Sequence, residues 1–597
     1  MSSENGKLPQ WDMSVVYSGL DSPEFEADFQ AIIQAIADLA TFFDDETINR
    51  VEAEPENVVA TLETAVTRYN TTLDKLYTLY VYILSFVVTN SRNNQAQARL
   101  SELQQHLARL SLMGTRLTAW LGSLNVNKLI EQSAVARDHA YILHRAQQAA
   151  SHLMAPIEEA LAADLTLTGS SSWRQLFNTY VSQLSVDIEL EGETKKLPLT
   201  AAQNLSYNPD RDVRRRAHEA VEATLKSAIV PCAAALNSLK GESLTLTQKR
   251  GWDSPLDEVL FDNVIDRTTL DAMMTAVRHA YPDMRRYLKA KARALGLPIL
   301  KWYDRLVPLG QSSQSWSYRD AQTFVIEQFA TYSPRLSEMA QRAFSENWID
   351  SAPGDGKRGG AFCIWLRQGE SRILTNFEPS FTAVGTLAHE LGHAYHNLNL
   401  INRTPLQREM PMTLAETAST FCQKIVEEAA LAAADDHDKR IILDGRLEYA
   451  VRVLLGAPSD FAFETNLFER RKQRALSPDE LCELMHAAQK ETFGDAVDND
   501  YLYPYRWVYV PHFYGSNYYN FPYIFGLLFG LGLYAYYQTT PDQFKAGYDD
   551  LLASTGMGNA AELAARFGIN IRDTAFWNAS LDVLRGDIAA FDHLVGE

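Results

Sequence analysis

Apolar residues return every three or four positions along most of this 597-residue chain, a period that fits packed helices and little else. The pattern is clearest over 24–43, 55–88 and 94–121, where prolines are few. It continues over 133–164, 199–249, 267–295, 318–347 and 437–457. Strands are plausible at Ser185 to Leu190, which runs into the turn pair Glu191-Gly192, and around 361–377. There the apolar run Ala361 to Arg367 follows a glycine-rich loop, and Ile373 to Phe377 could pair with it. No fixed-period repeat is evident, so a solenoid is not expected. The expectation is a large, mainly α protein with a small β-sheet. Its length and 46% hydrophobic content suffice for a large core and more than one subdomain. Glu191-Gly192-Glu193 and Pro198 mark a boundary near 190–200, between an N-terminal helical lobe, 1–195, and a second portion, 196–597.

Residues 389–393 read His-Glu-Leu-Gly-His. Four residues turn a helix by about 400°, so the rings of His389 and His393 can converge on one ion. Glu390 lies roughly 100° round from His389, where it can reach an attacking water without competing as a ligand. This is the sequence form of a zinc peptidase site. The lead-in Thr382 to Ala388 is small and apolar, and no proline interrupts the run through Asn397, as a buried catalytic helix requires.

Catalytic zinc takes three protein ligands and leaves one position open. His396 is seven residues, or about 10 Å of rise, beyond His389, too far along one straight helix to share the ion. It therefore reads as packing or as support for a ligand. Glu416 is the better candidate, 23 residues after His393 in a segment that opens a second helix. Thr413 and Glu416 also have the spacing of a capping box, which would turn the carboxylate back on the backbone, so ligand and cap are competing readings. Glu409, Glu427 and Glu428 are rivals, the last two in a charged stretch that reads as a solvated face.

Thr386 to His396, followed by Ala415-Glu416 and Ala418-Ser419-Thr420-Phe421, resembles the thimet oligopeptidase family, most closely its bacterial oligoendopeptidase F branch. Trp11-Asp12-Met13-Ser14 is similar to the opening of oligoendopeptidases. Pro511-His512-Phe513-Tyr514 with Tyr518 to Tyr523 is similar to the family's substrate-facing His and Tyr region. The resemblance spans nearly the whole chain. It implies His389, His393 and Glu416 as ligands of one Zn²⁺ per chain and Glu390 as general base. It also implies a zincin-like helical fold with the small sheet beside the His389 helix, and two lobes enclosing a deep substrate channel that admits short peptides.

Water attack on a peptide carbonyl builds negative charge on its oxygen, which phenol or imidazole donors can stabilise. His512, Tyr519 and Tyr523 are the donor candidates, and Tyr514 is a candidate substrate contact. Most of the other aromatics between Tyr501 and Phe521 are expected to be packed wall. Gly359, Gly360 and Ala361 precede the strand and could let a substrate backbone approach its edge, the role that the resembling family gives this region. A simple turn is the competing reading.

A net charge of −20, from 75 acidic and 55 basic residues, argues against nucleic acid as a partner. Arg211, Arg214, Arg215 and Arg216 read as an exposed helix start. Four widely spaced cysteines without a CxxC suggest a reducing compartment, and the polar opening has no secretory signal, so the expectation is cytoplasmic. Phe521 to Tyr537 is marginal for a bilayer at about 17 residues and reads as a buried helix, with no membrane partner. The expected function is zinc-dependent hydrolysis of internal bonds in short peptides. A zinc exopeptidase and a non-catalytic peptide-binding protein are the alternatives.

Overall fold

In a computed structural model describing residues 7–52, 54–310, 312 and 315–596, most of the apolar periods become helices. Pro23–Asp45 is capped by Ser22, whose hydroxyl accepts from the Phe25 N–H. Val58–Thr89 and Asn94–Leu121 follow. These three bury Phe25, Phe29, Ile36, Leu62, Tyr82, Leu103 and Trp120 in one core.

Other periods are interrupted for visible reasons. The 318–347 stretch becomes Tyr318–Tyr332 and Pro334–Ser345, because Pro334 holds the preceding residue extended and Ser333 caps the second helix. The 133–164 stretch is split among Ala134–Asp138, Ala140–Ala150 and Pro156–Thr168, the last opened by its proline. The 199–249 stretch divides into Leu199–Asn204 and Arg211–Lys249. Asp436–Val451 runs through a π-helical turn, Arg452–Gly456, into Ala457–Arg471. Pro458 has no N–H for the carbonyl four residues back, and the Ala457 N–H reaches Arg452 O, five residues back.

Strands β1 (Ser185–Leu190) and β2 (Glu193–Pro198) form an antiparallel hairpin. Its turn residues Glu191 and Gly192 are both left-handed, at φ 55° and 81°, as a tight two-residue hairpin turn requires. A second sheet has β3 (Ile349–Asp350), β4 (Phe362–Arg367) and β5 (Glu370–Leu374) in the order β3-β5-β4, which leaves β4 at an edge. Of the expected partner run 373–377, only Ile373 and Leu374 pair with β4, opposite Cys363 and Phe362.

Two compact units result. The first comprises Met1–Leu153, Ser315–Ala429 and Asp542–Leu563. The second comprises Met154–Gln314, Ala430–Pro541 and Ala564–Glu597. The boundary expected at 195/196 falls inside the second unit, because Glu191-Gly192 is a hairpin turn rather than a linker. Arg214 likewise departs from its exposed reading: it is buried and donates to the fully buried Asp304 at 3.0 Å. Helix Phe521–Thr539 is buried from Phe521 to Phe525 on every position but Tyr523, and it packs on Thr574–Val595. Among the described residues no helix is long and apolar enough to cross a membrane.

Candidate metal centre

Ser380 starts the helix Phe381–Asn399, its hydroxyl accepting from the Ala383 N–H at 3.3 Å. The helix packs on β4 and β5, and Asn397 Nδ2 donates to Ser371 Oγ at 3.0 Å. The expected position of the sheet beside the His389 helix is therefore met. The rings of His389 and His393 share a face with centroids 5.0 Å apart.

Glu416 stands just past the short helix Met412–Ala415, whose N-terminal residue is Pro411 with no side-chain cap. Its carboxylate turns toward the imidazoles: Oε2 lies 3.1 Å from His389 Nε2 and 3.5 Å from His393 Nε2. Ser419 Oγ donates to the same oxygen at 2.5 Å. Thr413 lies inside that helix and Glu416 at its C-terminal cap, not at the N-cap and third helical position of a capping box.

One glycine permits this approach. A Cβ on Gly392 would lie 2.6 Å from Ser419 Cα and 2.7 Å from Ala418 O, so the helix meets the Glu416 segment backbone against backbone.

The donor set suits a cation. Gln423 Nε2 donates to Glu427 Oε1 at 2.7 Å, which leaves Gln423 Oε1 to accept from His389 Nδ1, 2.9 Å away. With a proton on Nδ1, Nε2 faces the Glu416 carboxylate, as an N–H in the imidazolium or as a lone pair in the neutral ring. Two electron-rich atoms can lie that close only with a proton or a metal between them. Ligands about 2.1 Å from a tetrahedral ion lie roughly 3.4 Å from each other, close to the distances seen. His389, His393 and Glu416 are the one such group among the described residues. Burial opposes charge on His389, but the hydrogen bond and charge of Glu416 outweigh it and push its pKa up to about 9. Burial holds His393 down at about 4. Burial also works to raise Glu416, yet the two imidazoles hold its carboxyl well below the usual range.

Glu390 is 5% exposed, and its Oε2 is buried without a hydrogen-bond partner. Burial raises its pKa to about 7, against the pull of His389. His396 is fully buried with Nε2 2.9 Å from Thr555 Oγ1, outside the metal-ligand group. Of the rivals, Glu427 supports Gln423, Glu428 pairs with Lys424 at 2.7 Å, and Glu409 also lies outside the group. Gly359, Gly360 and Ala361 lead into the edge strand β4. Gly360 is left-handed at φ 81°, and a Cβ at either glycine would meet nothing within 4 Å.

The second unit holds the aromatic candidates. His512 lies 4.6 Å from Tyr519 and 6.2 Å from Tyr523 between ring centroids, and the two tyrosines are 5.7 Å apart. Tyr514 corrects the expectation for it. It is 2% exposed, its ring stacks 3.5 Å from Phe177, and its hydroxyl donates to Cys232 O at 3.4 Å, so it is core rather than a substrate contact. Sequence reasoning missed Gln423, although its four-residue spacing from Glu427 places both on one helix face. It also missed the constraint at Gly392, for which a motif position carries no signal.

The family model described as Peptidase family M3 matches residues 204–583. The plasmid oligoendopeptidase F of Lactococcus lactis subsp. cremoris is 23% identical over 620 residues, covering 100% of this chain and 99% of that protein. An oligoendopeptidase F homolog of Lactococcus lactis subsp. lactis is 24% identical over 476 residues, 79% of each chain. In fold, a Chlamydophila abortus crystal structure overlays with a TM-score of 0.83 at 20% identity, covering 98% of both chains. The oligoendopeptidase-F of Enterococcus faecium overlays with a TM-score of 0.71 at 17% identity, over 96% of this chain and 99% of that one.

Proposed function

The chain belongs to peptidase family M3, and from that premise we propose that it is a zinc-dependent endopeptidase hydrolysing internal bonds of short peptides. The observation that carries this reading is Glu416 Oε2 set 3.1 and 3.5 Å from the Nε2 atoms of His389 and His393. These three residues would hold one Zn²⁺ per chain, which when bound polarises the scissile carbonyl and makes water more acidic.

Glu390 is the general base. Its partnerless, buried carboxylate takes a proton from the attacking water and returns it to the leaving amine, and a pKa near 7 suits both transfers. His512, with Tyr519 and Tyr523 clustered about it, donates to the carbonyl oxygen as charge builds there. Gly359, Gly360 and Ala361 align the substrate backbone where the chain enters the edge strand β4, and the two glycines leave room there. Four cysteines without a disulfide support a reducing compartment, the cytoplasm.

Mass spectrometry of mixed short peptides and one unfolded protein, incubated with the purified chain with and without a zinc chelator, tests this reading. Chelator-sensitive internal cuts confined to the peptides are expected. Stepwise trimming from one end would replace it with an exopeptidase, and intact peptides despite stoichiometric zinc would leave a peptide-binding protein.

A further inference from the structure

The second unit holds a cavity of about 280 Å³, partly open to solvent, lined by none of the candidate ligands or catalytic residues. Its walls come from the helix Arg211–Lys249, the 302–306 segment, the π turn Arg452–Gly456 and the segment from Tyr503 to Tyr509. Three donors around it are buried without a hydrogen-bond partner: Arg214 Nε, Arg305 Nε and Ser459 Oγ. Orphaned buried donors are costly and rare, and three on one cavity point to a ligand that completes them.

The charges indicate what that ligand is. Arg214 pairs with Asp304 at 3.0 Å and shares it with Arg211 at 2.8 Å, and Arg506 pairs with both oxygens of Asp460 at 2.8 Å. Arg305 has neither ion pair nor hydrogen bond among the described residues; its guanidinium stacks 3.6 Å from the Trp302 ring and 4.9 Å from that of Phe493. Burial, and then Arg506, pull its pKa down to about 10, which still leaves it a cation at neutral pH. Against Arg305 and Arg452 the cavity sets Glu448, 3.9 Å from Arg452 Nε, with its Oε1 unbonded. Among the arginines lining the cavity Arg305 alone has no carboxylate within 4 Å among the described residues, which suits one carboxylate of a ligand. Trp302, Phe493 and Tyr503 supply flat apolar surface beside it. The π turn in the wall is a conformation that recurs at functional sites.

We propose that this cavity binds a monocarboxylate carried on an apolar or aromatic body, with Arg305 as charge partner and Arg214 Nε and Ser459 Oγ as donors. The free C-terminus of a peptide and a single amino acid share that chemistry.

Calorimetry on the full zinc-loaded chain, with N-acetylphenylalanine, its C-terminal amide and inorganic phosphate as probes, tests the assignment. The acid should bind at least tenfold more tightly than the amide or phosphate, and Arg305→Gln should weaken it about 10–100-fold, the loss expected for one charge-assisted contact. Hydrolysis of a peptide blocked at both ends should be unchanged in R305Q. Equal binding of acid and amide, or equal binding of the acid by R305Q, would overturn the proposal. If circular dichroism shows R305Q unfolded, Ser459→Ala carries the same test, with undiminished binding as the overturning result. Free and amidated forms of one substrate separate the two sources. A wild-type preference for the free carboxyl that R305Q loses identifies the peptide terminus, and equal rates identify a separate small molecule. Binding and peptide hydrolysis are read separately, so failure of the peptidase reading leaves this test standing.

Discussion

His389, His393 and Glu416 in the first unit and His512, Tyr519 and Tyr523 in the second are held in place by different means. Around the first set, position comes from steric contact: Gly392 brings the backbone of Ala418 and Ser419 against the helix, and Gln423 fixes one ring. Around the second, position comes from a buried charge. Lys240 Nζ donates to Glu464 Oε1 at 2.5 Å and to Ser516 O and Asn517 Oδ1 at 3.0 Å, while Glu464 Oε2 accepts the Tyr518 N–H at 3.0 Å. Tyr518 itself is left-handed at φ 49°, a conformation a tyrosine keeps only when its surroundings impose it. As proposed metal ligands the first set would tolerate little displacement, and hard backbone contact supplies that precision. A loop proposed to carry hydrogen-bond donors would need only tethering, and one buried ammonium reaching three acceptors supplies it.

The largest effect expected at either set is chemical. Glu390→Gln should lower kcat about 10²–10⁴-fold while zinc, counted by atomic absorption, stays stoichiometric; near-normal turnover would remove Glu390 from the role of base. Lys240→Met strands Glu464 in the interior and should destabilise the chain by about 3–5 kcal/mol in urea unfolding, with zinc retained. Zinc lost together with Lys240 would break the contrast between the two regions. Gln423→Ala should weaken zinc about 10–100-fold in a chelator competition while turnover per bound zinc holds, since only the orientation of His389 is released. The smallest effect belongs to Tyr514→Phe, about 0.5–1.5 kcal/mol of stability with KM unchanged. A raised KM would return Tyr514 to the substrate.

The same contrast governs what could be read from the sequence. His389, Glu390 and His393 were legible because their chemistry depends on one helical turn, a local spacing. Glu416 was legible only as ligand or cap, because the choice rests on where Met412–Ala415 ends, and packing at Gly392 helps set that. Tyr514 could not be told from its aromatic neighbours: burial against Phe177 is a tertiary fact, and all these rings look alike in a sequence. The broken helices repeat the point. The apolar period reads 318–347 as continuous, whereas Pro334 lies within it and the helix boundary falls there. The two units were hidden most completely, since each is assembled from three separated stretches of chain and only the polar run at 310–315 falls where they part.

The pairing of helix Arg267–Ala294 with Thr574–Val595 has a consequence for how the protein is made. Met273, Val277, Met284 and Leu288 on the earlier helix are buried, and Tyr287 meets Phe591 of the later one with ring centroids 5.2 Å apart. At a translation rate of about 5–20 residues per second, the earlier helix leaves the ribosome roughly 15–60 s before its partner exists. Throughout that interval the part of the stripe that Thr574–Val595 covers is exposed on a nascent chain, so the second unit closes only once that helix has been made.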